Sequence, residues 1–98
     1  MKPHEEWLFK AENDLESARI LLKADKKLYD VVVYHAQQCA EKALKAYLAE
    51  KNSKIDKTHS LAVLTEYCAA IDNDFLSLKD AISFLNPYVI MYRYPLDE

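Results

Sequence analysis

Glycine is absent from all 98 residues. Rossmann and P-loop phosphate sites need glycine where backbone approaches phosphate closely, so both are excluded. Tight hairpin turns also lose their favoured residue. Cysteine is scarce: Cys39 and Cys68 lie in separate segments and form no CxxC pair. Two free thiols point to the reducing cytoplasm rather than to a disulfide framework. No apolar run approaches the length of a membrane span. The first residues, MKPHEEW, are acidic and hold no apolar signal core. The net charge of −3 leaves no strong basic field for a duplex, although Lys42 and Lys45 make a local basic patch.

What remains is 51% apolar and 30% charged, a globular profile. At this length one domain over residues 1–98 is expected, burying roughly 60–70% of its unfolded surface. With glycine absent, an all-α chain is the natural reading.

Four amphipathic segments follow. The first runs from about Pro3 to Ala24. Pro3 suits a first turn, and Glu5 and Glu6 suit its positive end. Trp7, Ala11, Leu15, Ala18 and Leu22 recur at helical spacing, with Leu8 and Leu21 beside them. The second runs from Tyr29 or Asp30 to Lys51. Its Val33, Ala36, Ala40, Ala43, Leu44 and Tyr47 share one broad face. The third starts near Thr58 or Ser60, either of which suits a cap. It carries Leu61, Leu64, Cys68 and Ile71. Residues 72–74 then break the chain before Phe75, Leu78, Ile82 and Leu85. Asn86-Pro87 predicts a kink or a short fifth helix through Tyr92. Short connections favour an antiparallel up-and-down bundle of four main helices.

The second segment contains HAQQCAEKALKAYL, His35 to Leu48. His35, Gln38, Lys42 and Lys45 are spaced by 3, 4 and 3, so they line one stripe opposite the apolar face, with Glu41 at its border. One reading is a solvated face laced with Glu–Lys pairs. The other is a polar groove, in which imidazole, amide and ammonium groups suit an anionic or nucleotide-like ligand. A metal site would need His35 with Cys39 and further ligands such as His59, but no HExxH or CxxC spacing supports it. Neither a metal nor a cofactor is expected. Cys39 reads as a small packed side chain.

Asp14 falls within the apolar arc of the first segment, where a carboxylate is costly unless paired. His35, Lys42 and Arg93 are its candidate partners, either in a helix–helix ion pair or as part of a polar pocket. His59 either orders the loop at a helix start or reaches a pocket at the bundle end. Arg93 sits among tyrosines in NPYVIMYRYPLDE. It suits a helix C-terminus or a bidentate phosphate contact.

Taken together, these pieces resemble the HEPN domain family. The resemblance lies in AENDLESA (Ala11 to Ala18), YHAQQCAEKALKA (Tyr34 to Ala46), THSL (Thr58 to Leu61) and RYP (Arg93 to Pro95), in that order. It implies an antiparallel helical bundle that often forms a homodimer. It also implies pairing with a small, separately encoded nucleotidyltransferase, commonly in toxin–antitoxin systems, and a nucleotide-binding role. Other members of the family are ribonucleases with an Arg followed four to six residues later by a His. Here only Tyr94, Pro95, Leu96, Asp97 and Glu98 follow Arg93, and Arg19 has no such His either.

The expectation is therefore a non-catalytic nucleotide-binding or partner module. Its ligand site would be Asp14, His35, Gln38, Lys42, Lys45 and Arg93, and it would work as a cytoplasmic homodimer beside a nucleotidyltransferase, without a membrane. RNA is an open partner. The alternatives are a ribonuclease toxin with a displaced His and a purely structural interaction subunit.

Overall fold

The computed structural model describes residues 1–53, 55 and 57–87. Among these residues every regular element is helical. Arg93 and the kink or fifth helix expected after Pro87 lie outside the described residues.

Helix α1 spans Pro3–Lys23. Proline opens it, and the Glu5 side chain reaches back to accept from the Lys2 backbone N–H at 3.0 Å, satisfying a donor the helix start leaves over. Helix α2 spans Tyr29–Glu50. It ends without glycine: Asn52 takes the left-handed conformation, with φ of 54°. The Ser53 N–H then donates to the Leu48 carbonyl at 2.9 Å, and the Asn52 N–H to Ala49 at 3.1 Å. This is a Schellman closure in which asparagine does glycine's usual work.

Helix α3 spans Leu61–Ile71, and of the two expected caps it is Ser60 that accepts from the Val63 N–H, at 3.3 Å. The fourth apolar segment is divided. A 3₁₀ helix runs over Asn73–Leu78, capped by Asp72, and α4 follows over Lys79–Leu85. The Asn86 side chain accepts from the Leu61 N–H at 2.6 Å, tying the end of α4 to the start of α3.

The apolar core lies in one half of the molecule. Leu44 and Leu48 of α2 pack with Leu61, Leu64 and Cys68 of α3 and Ile82 of α4. Tyr47, Ile55, Phe75 and Leu85 pack around them, the Tyr47 and Phe75 ring centres 4.6 Å apart. Fully burying a Leu-sized side chain contributes about 1.5–3 kcal/mol, so this cluster is the main store of stability.

Helix α1 packs almost wholly against α2, and the face it buries differs from the expected stripe. Ala11, Asp14 and Ala18 are buried, whereas Leu8, Leu15 and Leu22 remain 45, 40 and 47% exposed. A helix with one neighbour covers one narrow strip, and small residues at its centre let the two backbones come close. The leucine row, at seven-residue spacing, is left on the flank.

Candidate functional site

The stripe of α2 that opposes its apolar face is largely buried, with His35 and Lys42 half-buried. Gln37, Gln38, Glu41 and Lys45 are buried. The stripe faces α1, and its inner edge meets the core formed with α3. A polar seam therefore runs along this side of α2, and two carboxylates organise it, one tying α2 to α1 and the other tying α2 to the segment before α3.

The first is Asp14 of α1. Its Oδ1 accepts from Nδ1 of His35 at 2.9 Å, and its Oδ2 accepts from the Lys42 ammonium at 2.5 Å. His35 and Lys42 stand two turns apart on one line of α2, so a single carboxylate can bridge them. Two of the three partners expected for Asp14 are thus its partners, and the third, Arg93, lies outside the described residues. The His35 ring also meets Tyr34 edge-on, with ring centres 5.4 Å apart.

The second is Glu41. Its Oε2 accepts from Lys45 Nζ and from His59 Nδ1, both at 3.0 Å. Its Oε1 accepts a long bond from the Gln37 amide at 3.4 Å, and Gln37 in turn accepts from Gln38 at 2.6 Å. Burial pushes the Glu41 carboxyl up, but the hydrogen bonds from His59 and Lys45 outweigh it and hold the group below its ordinary value. No buried side-chain nitrogen or oxygen among the described residues lacks a partner, as a low-dielectric seam requires.

Sequence reasoning placed Glu41 at the margin and gave Gln37 no role. The available signal was the spacing: Gln37, Glu41 and Lys45 recur every four residues, which stacks them on one side of the helix. His59 does not cap α3. It leaves the chain just before Ser60 and reaches across to Glu41.

The Glu41 network ends at solvent in a cleft of about 480 Å³, lined by Trp7, Lys45, Ile55, Lys57 and His59. The Lys45 ammonium sits 5.3 Å from the centre of the Trp7 ring, within cation–π range. The seam thus divides the residues chosen from sequence. Asp14, His35 and Lys42 meet at one carboxylate, while Gln38 and Lys45 belong to the network of the other.

A metal pairing of His35 with Cys39 finds no support in the geometry. His35 turns its Nδ1 to Asp14, and the Cys39 thiol is pushed up by burial and by the Asp14 charge, with Lys42 opposing in part. Among the described residues no three His, Cys, Asp or Glu side chains group as metal ligands. Both cysteines are free thiols. No described helix is long and apolar enough to cross a membrane.

A hairpin of two long helices, clamped by a polar seam and seated on a small apolar core, defines a helical-bundle domain with three charged side chains, Asp14, Glu41 and Lys45, buried in that seam. The chain belongs to the HEPN family, whose sequence profile matches residues 4–98. It is similar to a protein of Methanocaldococcus jannaschii that is provisionally named a toxin, with 38% identity over 93 residues. That match covers 88% of this chain but 59% of the relative, so the chain spans well under two thirds of the relative's length. No solved structure matches the chain.

Proposed function

We propose that this chain is a non-catalytic HEPN module of a toxin–antitoxin type system. It binds a nucleotide or nucleotidyl group in its polar seam and works in the cytoplasm beside a separate nucleotidyltransferase. The observation that carries this reading is the seam itself: two lysines and two histidines gathered on two largely buried carboxylates, Asp14 of α1 and Glu41 of α2. A seam serving stability alone is more simply built from apolar residues of like volume, which are often as stable or more so. The toxin name of the relative and the family membership favour the toxin–antitoxin setting. The exposed row of Leu8, Leu15 and Leu22 offers a second copy an apolar face, which supports a homodimer.

Thermal unfolding with and without nucleotides tests the reading. Ligand at about 100 times its dissociation constant adds about 2.7 kcal/mol. For a domain of this size that raises the midpoint by roughly 10–20 °C. A rise with ATP but not with inorganic phosphate, lost in Lys42→Ala, is the expected result. No shift with any nucleotide leaves a structural interaction subunit as the better account.

A ribonuclease reading has one observation in its favour. His35 and His59 each direct Nδ1 at a carboxylate, the arrangement that orients an imidazole for acid–base work. It requires RNA cleavage by the purified protein that vanishes in His35→Ala or His59→Ala.

A further inference from the structure

The cleft at the end of the seam has a composition of its own. Trp7 comes from α1, Lys45 from α2, and Ile55, Lys57 and His59 from the segment that leads into α3. Its volume of about 480 Å³ falls within the roughly 300–1,000 Å³ of small-molecule sites. Its wall is an indole flanked by isoleucine, which suits a planar ring, and its polar groups are two ammoniums and an imidazole, which suit an anion.

The charge on these groups is arranged unequally. Lys45 is 6% exposed and its charge is matched by Glu41, which also receives His59. Lys57 is exposed and is the cation on the outer lip. An anion entering the cleft therefore meets Lys57 first, then an inner cation held at a fixed position. The network of Gln38, Gln37 and Glu41 fixes that inner cation from behind. Such a site needs little reorganisation to take its ligand.

From this placement we infer that the cleft seats a nucleoside phosphate, with the base against Trp7 and the phosphate between Lys57, Lys45 and His59. The inference rests on the nucleotide-binding reading given above and deepens it by naming where the ligand enters and which residues hold it. An aromatic ring is a base platform of any sequence, since every base has a π-face. The same chemistry comes from two sources, a free mononucleotide or the terminal nucleotide of a single RNA strand.

Trp7 is the single tryptophan of the chain, so tryptophan emission comes only from a side chain that lines this cleft. The intact chain is titrated with AMP, with a short single-stranded oligoribonucleotide and with inorganic phosphate, and total binding is followed in parallel by calorimetry. AMP or the oligonucleotide is expected to quench and shift Trp7 emission, while phosphate alone leaves it unchanged. Whichever of the two binds more tightly identifies the source. Lys57→Gln alters an exposed side chain and leaves the fold intact. It is expected to weaken binding about tenfold, the usual cost of losing one hydrogen bond to a charged group. Calorimetric binding of nucleotide with silent Trp7 emission, and with Lys57→Gln indifferent, overturns the cleft but leaves the wider reading standing. Absence of binding by both methods removes both.

Discussion

Asp14 of α1 and His35 of α2 are joined by a 2.9 Å bond, 21 residues apart in sequence. Beside a carboxylate, Nδ1 of the imidazole carries the proton and donates it, which fixes the tautomer. The same carboxylate holds Lys42, so one acidic residue sets the register of α1 on α2.

Removing that residue tests how far it holds the hairpin. Asp14→Ala leaves the Lys42 ammonium without its counter-charge and the His35 ring without its acceptor, and should cost about 2–3 kcal/mol, less than the ~3–5 kcal/mol of a fully buried pair because His35 and Lys42 are partly exposed. The thermal midpoint should fall by roughly 10–20 °C. A change within about 0.5 kcal/mol, the scatter of ordinary surface substitutions, would mean that the pair adds nothing to stability.

Glu41 should make stability depend on acid. Its folded carboxyl lies below the ordinary value. Its contribution is therefore fully present above the unfolded value of about 4.3 and is lost as pH falls through the folded value. Urea midpoints of the native chain and of Glu41→Gln, measured from pH 7 to pH 3, should show a gap that closes on acidification. A gap that widens instead contradicts the assigned direction.

At the end of α2 the left-handed Asn52 offers a backbone test. Asn52→Gly should stabilise by about 0.5 kcal/mol because glycine adopts that conformation without penalty, and Asn52→Ala should destabilise by about 1 kcal/mol. Denaturant midpoints of the two variants should move in opposite directions.

The thiols should be poor nucleophiles. Burial pushes Cys68 up to about 11, and Cys39 is also raised. Reaction with a disulfide reagent at pH 8 should be slow for both in the native state and slowest for Cys68, whose side chain is fully buried. Both should react quickly in denaturant.

Much of the fold was legible in the residues. Absent glycine, Pro3 and the apolar periods placed α1 and α2 within a residue of their observed ends, because local propensity and capping agree there. The division of the fourth segment was not legible, since Phe75, Leu78, Ile82 and Leu85 fit a single helical period. The 3₁₀ turn arises where Asp72 caps the Asp74 N–H at 2.9 Å. For the site, Asp14 was the clearest signal, because a carboxylate inside an apolar arc demands a partner. The solvated reading of the α2 stripe failed for a physical reason. Charge pattern alone does not say whether a neighbouring helix brings a counter-charge, and here Asp14 on α1 does so. For His59 the sequence left open ordering the loop or reaching a pocket at the bundle end; its partner Glu41 was not legible because a residue outside a helix has no periodicity to say which face it meets.

The polar seam has a consequence for how the molecule comes apart. α1 is held mainly by alanines and charge pairs against one neighbour, while α3 is locked into the leucine cluster, so the molecule has a built-in latch as well as a core. Lifting the latch exposes few large apolar side chains. Amide protons of α1 should therefore exchange with deuterium well before those of α3. The cleft straddles that boundary, with Trp7 on the latch and Lys57 and His59 on the body. A ligand seated there would act as a bolt, slowing exchange along α1 from a point near its first turn.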